Sequence, residues 1–231
     1  MSQVHFIGGE KGGVGKSLVA RLLAQYFIDR ELPFLAFDTD RSHGALMRFY
    51  GGYTSPVVVD QAESLDLIIE AASAAPQRRM LVDLAAQTQR KLENWIADSD
   101  LLAMAPELDI TMTYWHVMDA GRDSVDLLHA LINRFGGSMR LVLVLNEVRG
   151  DSFELLRQSG ELERAEQLGA LIVSVRKLQD STIQKIDAHS TSFWAAVNSS
   201  ERATTGLGLL ERQRVKIWLN RVYAEFDRVQ P

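Results

Sequence analysis

Residues 9–17 read GEKGGVGKS, and the chemistry that this spacing serves is the holding of phosphate. Glycines at 12, 13 and 15 let the chain bend so that successive backbone N–H groups point at phosphate oxygens, helped by the positive end of the helix that follows. Lys16 supplies a cation for β- and γ-phosphates, and the Ser17 hydroxyl is placed to ligate Mg²⁺, whose remaining shell is mostly water. The nucleotide-binding set is therefore Gly12, Gly13, Val14, Gly15, Lys16, Ser17 and Leu18. A glycine-rich turn that only caps a helix would explain the glycines but not a lysine followed by a serine. The loop is a variant of GxxxxGK[ST], because Glu10 stands where the first glycine belongs, and it carries a second lysine, Lys11, ahead of the glycines.

Three aspartates extend the pattern. The run FLAFDTD puts Asp38 and Asp40 at the carboxyl end of an apolar segment, where ligands bind in open α/β sheets. The alternative for this pair is a solvated turn with helix-capping aspartates. Asp83 closes the apolar run of MLVDLAAQ, the form of a Walker B element, and is expected to hold an Mg²⁺-bound water.

These residues need a frame that brings them to one edge. Short apolar runs alternate with stretches of helical period, the pattern of βα units around a parallel sheet. Strands are expected at 3–7, 34–38, 79–84, 101–105, 141–146 and 171–175. Helices are expected from the phosphate loop onward and near 61–74, 87–98, 112–135, 153–167, 181–187 and 209–228. The segment 41–60 has the least regular pattern and reads as a mobile surface region. The fold class is α/β: a doubly wound, mainly parallel sheet with helices on both faces.

Length and composition bound the rest. At 231 residues the chain is expected to be a single domain, and its 25 basic and 30 acidic residues leave a net charge of −5, so any nucleic-acid contact must come from a local patch. With no cysteine there is no disulfide, thiolate metal site, Fe–S cluster or cysteine nucleophile. The start lacks a signal-peptide pattern and no apolar run approaches about 18 residues, so a cytoplasmic protein is expected. His5, His43, His116, His129 and His189 show no metal-binding spacing, and no G-x-S-x-G elbow supports a hydrolase triad. After the run at 141–146 comes Asn146-Glu147-Val148-Arg149, without the Lys and Asp of a guanine-reading motif, which favours ATP over GTP.

KGGVGKS with its leading lysine, followed by FDTD and MLVDL, resembles the ParA/MinD family of deviant Walker A ATPases. The resemblance implies that Lys11 reaches across a nucleotide-sandwiched homodimer to the partner's phosphates, that Asp38 joins the Mg²⁺ shell with Ser17 and Asp83, that Asp40 positions the attacking water, and that Asn146 contacts adenine. It also implies weak ATP hydrolysis stimulated by a separate partner, ParB-like or a cargo adaptor, in the partition or positioning of a plasmid, a chromosome region or a protein cargo. Two departures stand out: Arg41-Ser42 replaces the usual Pro-Gln after the aspartate pair, and Ala85-Ala86 stands where Pro or Gly is frequent. No helix-turn-helix precedes Val4, so operator-specific DNA binding is not expected.

The last helix carries Val215, Trp218, Leu219, Val222, Phe226 and Val229 on one face, with Arg212, Arg214, Lys216 and Arg221 mostly around the others. It reads as a helix packed on the sheet. A nonspecific DNA patch, with a nucleoid-associated protein, and membrane attachment of the MinD type are the competing readings. The segment ERQRVKIWL at 211–219, together with KGGVGKS, also resembles the conjugation-associated TraL proteins, which makes a conjugal-transfer accessory ATPase a further alternative.

Overall fold

The computed structural model describes residues 1–40, 44–199 and 202–231. Seven strands, β1 (Ser2–Gly8), β2 (Phe34–Asp38), β3 (Thr54–Pro56), β4 (Arg79–Asp83), β5 (Ile110–Met118), β6 (Arg140–Asn146) and β7 (Leu171–Val175), form one sheet in the order β3-β2-β4-β1-β5-β6-β7. Every pairing is parallel. The helices are α1 (Lys16–Asp29), α2 (Ala45–Tyr50), α3 (Ala62–Ala74), α4 (Gln89–Asp98), α5 (Leu101–Glu107), α6 (Arg122–Phe135), α7 (Glu154–Gln158), α8 (Glu161–Gln167), α9 (Asp180–Ala188), α10 (Phe193–Asn198), α11 (Arg202–Thr205) and α12 (Leu209–Val229). A single 3₁₀ turn, Glu147–Arg149, follows β6.

Alternation along buried strands creates two cores, one on each face of the sheet. Val4, Phe6, Tyr114 and Leu143 face α3 to α6, while Ile7, Trp115, Val142 and Val173 face α1, α10 and α12. α12 lies in the second core: Val215, Trp218, Leu219, Val222, Phe226 and Val229 are all buried, the face anticipated for a packed helix. Phe226 meets Trp115 edge to face with ring centroids 5.6 Å apart.

Four expectations are corrected. Residues 101–105, expected as a strand, begin α5: Leu, Ala and Met are strong helix formers without a β-branched residue among them, and burial is one-sided, at Leu101 and Ala105. The expected helix 112–135 is a strand followed by a helix. ITMTYWHVM is β-branched and aromatic and is buried almost throughout, and α6 starts only after Asp119-Ala120-Gly121. The segment 41–60 is not irregular where described. Leu46, Tyr50, Thr54 and Val57 are buried in or beside α2 and β3, and the Tyr50 hydroxyl donates to Gln25 Oε1 at 3.1 Å. Residues 41–43, which include the Arg41-Ser42 departure and His43, lie outside the described residues. The helix expected at 153–167 is divided into α7 and α8 at Gly160, whose φ is +79°.

The topology places the chemistry. The chain leaves β1 toward β2 on one side, and after β4 it crosses to β5 on the other, so the switch point lies at the carboxyl end of β1, where a crevice opens in doubly wound sheets. The ends of β1, β2, β4, β5 and β6 share this edge. Phe226→Ala should destabilise the fold by about 3–5 kcal/mol, read as a fall in the denaturant midpoint at unchanged slope; a helix lying free of the sheet would leave the midpoint where it was.

Candidate functional site

The turn after β1 is shaped by two glycines. Gly13 and Gly15 have φ of +74° and +98°, a region that side chains with a Cβ avoid. At Gly15 space forbids a side chain as well, since a Cβ would lie 2.1 Å from Asn146 Nδ2. Asn146, fully buried at the end of β6, donates from that nitrogen to the Val14 carbonyl at 2.7 Å. The position expected to contact adenine thus has its amide nitrogen committed to bracing the loop from below.

Lys16 begins α1, and its Nζ donates to the Lys11 carbonyl at 3.1 Å. Burial pushes its pKa down, while Asp83, Glu10 and Asp40 pull it up without restoring the ordinary value. The ammonium is therefore partly desolvated and suited to an anionic ligand. Beside it lies a cavity of about 320 Å³ lined by Gly12, Gly15, Lys16, Ser17, Asp40 and Asp83 among others. Phosphate loop and carboxylates meet there.

Asp38 and Asp83 are cross-strand partners of β2 and β4, so their carboxylates stand at one level. Asp83 is buried, receives a hydrogen bond from the Ser17 side chain, and leaves Oδ1 without a partner. Burial, reinforced by the charges of Asp38 and Asp40, pushes its pKa up to about 7 against the pull of Ser17 and Lys16. Asp38 is satisfied differently: Oδ1 accepts the Asp40 N–H and Oδ2 the Met47 N–H, both at 3.0 Å, so its carboxylate caps α2. Burial also raises the Asp38 pKa, partly offset by these backbone donors.

An orphaned, buried carboxylate oxygen next to a serine hydroxyl is a hard-oxygen donor set that fits Mg²⁺. Among the described residues no three His, Asp or Glu side chains converge as a metal cage.

Several residues of the site were not singled out from the sequence. Thr39 Oγ1 donates to the Asp83 carbonyl at 3.0 Å and accepts the Ala85 N–H at 2.7 Å, tying the ends of β2 and β4 together. Glu10 Oε1 accepts the Gln89 N–H at 2.7 Å and so links the loop to the start of α4. Asp119, just after β5, is buried and takes Lys11: Nζ lies 3.2 Å from Oδ2, with Asp123 a further 3.6 Å ion pair. The FDTD spacing could have drawn attention to Thr39, whereas Asp119 fell inside the helix expected at 112–135.

A parallel sheet with a phosphate loop at its switch point and buried carboxylates facing that loop defines a P-loop nucleotide-binding protein. Residues 5–183 match the family model described as CobQ/CobB/MinD/ParA nucleotide binding domain, and the chain belongs to this family. Over 129 residues it is 27% identical to protein MobD of Acidithiobacillus ferrooxidans, a match that spans 54% of this chain and about half, 55%, of that protein. It is 24% identical to a protein TraL of Escherichia coli over 98% of both chains. Among solved structures, a putative plasmid partition protein of Borrelia burgdorferi B31 bound to AMPPNP superposes with a TM-score of 0.53 at 12% identity, covering 96% of this chain and 99% of that one. Among the described residues no helix is long and apolar enough to cross a membrane.

The raised pKa of Asp83 has a definite sign. Between about pH 4 and about pH 7 the folded chain keeps a proton that the unfolded chain has lost, so stability falls as pH rises through that window. Asp83→Asn should flatten this dependence and stabilise the ligand-free protein at neutral pH by at most about 4 kcal/mol, at about 1.4 kcal/mol per pH unit, seen as a higher melting temperature. A thermal melt series from pH 4 to 8 reads it, and equal slopes in the two proteins would contradict the assignment.

Proposed function

We propose that the chain is an ATP-dependent dimerisation switch with slow hydrolysis that a partner protein stimulates. One observation carries the reading: the buried, unpartnered Oδ1 of Asp83 beside Ser17 and Lys16, at the foot of a loop that also presents Lys11. Loop N–H groups and Lys16 bind the phosphates. Ser17 and Asp83, with Asp38 beside them, hold and orient the hydrated metal, which when bound neutralises charge on the phosphate oxygens. Asp40, at the mouth of the same cavity, positions and polarises the attacking water. Lys11 of one subunit completes the charge around the phosphates of the other, so that binding and dimerisation are linked. Adenine is favoured because the residues after β6 lack a guanine-reading pair.

For the cargo, the nucleotide-bound partition protein and the family support partition or positioning of a plasmid, chromosome region or protein complex. A second reading, an accessory ATPase of conjugal transfer, is favoured by the match to TraL over nearly the whole of both chains. Exposed Arg214, Lys216 and Arg221 on α12 offer a modest cationic strip for DNA, while burial of the apolar face of that helix speaks against a membrane role for it.

Lys16→Ala should abolish binding of Mg-ATP in calorimetry. Lys11→Ala should keep nucleotide binding yet lose the ATP-dependent dimer in size-exclusion chromatography, and a dimer retained there would place that lysine outside the interface. Asp40→Ala should bind ATP and hydrolyse it about 10²-fold or more slowly. Sedimentation of this trapped variant with DNA or with anionic liposomes, in ATP against ADP, separates the tracks: salt-sensitive DNA binding supports a partition motor, and binding to neither favours the transfer accessory.

A further inference from the structure

Arg149 lies at the end of the 3₁₀ turn after β6, three residues beyond the asparagine that braces Val14. Its guanidinium rests on the loop itself, because a Cβ added to Gly13 would lie 2.7 Å from one terminal nitrogen. The other terminal nitrogen, Nη1, is 3.4 Å from Asp119 Oδ2, the same oxygen that takes Lys11 Nζ at 3.2 Å. One buried carboxylate oxygen therefore serves two cations over the glycine turn.

The two sides of this pair differ in freedom. Asp119 is fixed by the Ser124 hydroxyl at 2.6 Å and the Gly121 N–H at 3.1 Å, with its carboxylate almost wholly shielded from water. Burial alone would raise its pKa, yet Ser124, Gly121 and Lys11 together hold it below the ordinary carboxylate value, so it stays charged. Arg149 is half exposed and is followed by Gly150 at φ +136°. A buried anion beside a phosphate loop weakens anion binding unless it serves the cations around it. Here two positive charges share that one buried negative charge.

We propose that Arg149 is a second cation of the nucleotide site, held on Asp119 until a ligand arrives, and that it confers preference for a nucleoside triphosphate over a diphosphate. This rests on the nucleotide-switch reading above. The loop N–H groups and Lys16 satisfy the inner phosphates. The added charge of a third phosphate draws the guanidinium off its carboxylate, and bidentate geometry suits it to phosphate oxygens. Asp119 acts as a counter-charge and makes no contact with the nucleotide.

The test is calorimetric titration of the full chain with AMPPNP and with ADP, each with Mg²⁺, in the parent and in Arg149→Gln, Arg149→Lys and Asp119→Asn. Arg149→Gln should lose about tenfold or more in AMPPNP affinity while ADP affinity changes less than about threefold, with an unchanged melting temperature. Arg149→Lys should recover part of the loss as a point charge without the fork. Asp119→Asn keeps an acceptor for Ser124 and Gly121 and should bind both nucleotides more tightly. Equal losses for the two nucleotides in Arg149→Gln, no loss, or weaker binding by Asp119→Asn would overturn the proposal while leaving the site reading intact. A parent chain that binds neither nucleotide would overturn the site reading, and this inference with it.

Discussion

Two carboxylates held at one level inside a protein repel, and the carboxyl edge of this sheet is built around that repulsion. Register fixes the problem: Asp38 and Asp83 are direct partners across β2 and β4, and neither is open to water. The structure answers it unequally. Asp38 is bonded by two backbone N–H groups, whereas Asp83 has only Ser17 and the field of Lys16 and retains an unsatisfied oxygen. Two buried acids in dissimilar surroundings thus differ in how well they are satisfied, and the poorly satisfied one lines the cavity.

The glycine turn stands opposite, and its shape is imposed from beneath as much as from within. Asn146 fills the space where a side chain at 15 would sit, and on the other face of the sheet a Cβ at Gly8 would lie 1.9 Å from the Tyr114 hydroxyl. β5 and β6 thus determine how low the loop lies on the sheet edge. They also deliver Asp119 and Arg149 to its flank, so the loop, its brace and its surrounding charges are consequences of one strand order.

This division between local and distant causes explains what the sequence could reveal. Gly12 to Ser17, Asp38, Asp40 and Asp83 were legible because each motif is a few residues long and its context, apolar run then turn, is printed beside it. The apolar stripe of α12 was legible for the same reason, since period and burial coincide at Trp218, Val222 and Phe226. ITMTYWHVM was misread as helix because short apolar runs carry no decisive period, and that error concealed Asp119. Arg149 belongs to no binding motif of its own, standing only in Asn146-Glu147-Val148-Arg149, which lacks a guanine-binding pattern. Its place over Gly13 depends on contacts 136 residues apart in sequence, which no spacing rule encodes. Asp38 is the subtler case: its place at the edge was readable, but its bond to Met47 belongs to a helix that composition did not announce.

That bond has a physical consequence for the site. Each Asp38 oxygen already accepts one backbone N–H, from Asp40 and from Met47, so a cation that draws on this carboxylate shares it with the cap of α2. The far end of α2 is fastened too. Arg48 Nε donates to Ser190 Oγ at 2.7 Å, and the Tyr50 hydroxyl joins Gln25 and the start of α10. Beside it Arg21, sandwiched between Phe49 and Phe193, pairs with Asp187 of α9 at 2.8 Å. A carboxylate at the ligand edge is therefore bonded to a short helix whose other end is bonded to α1, α9 and α10. Any rearrangement that withdraws Asp38 from its cap must either break the Met47 bond or carry α2 and its polar anchors along. Either way, the state of the cavity and the packing on that face of the sheet are mechanically joined through one side chain.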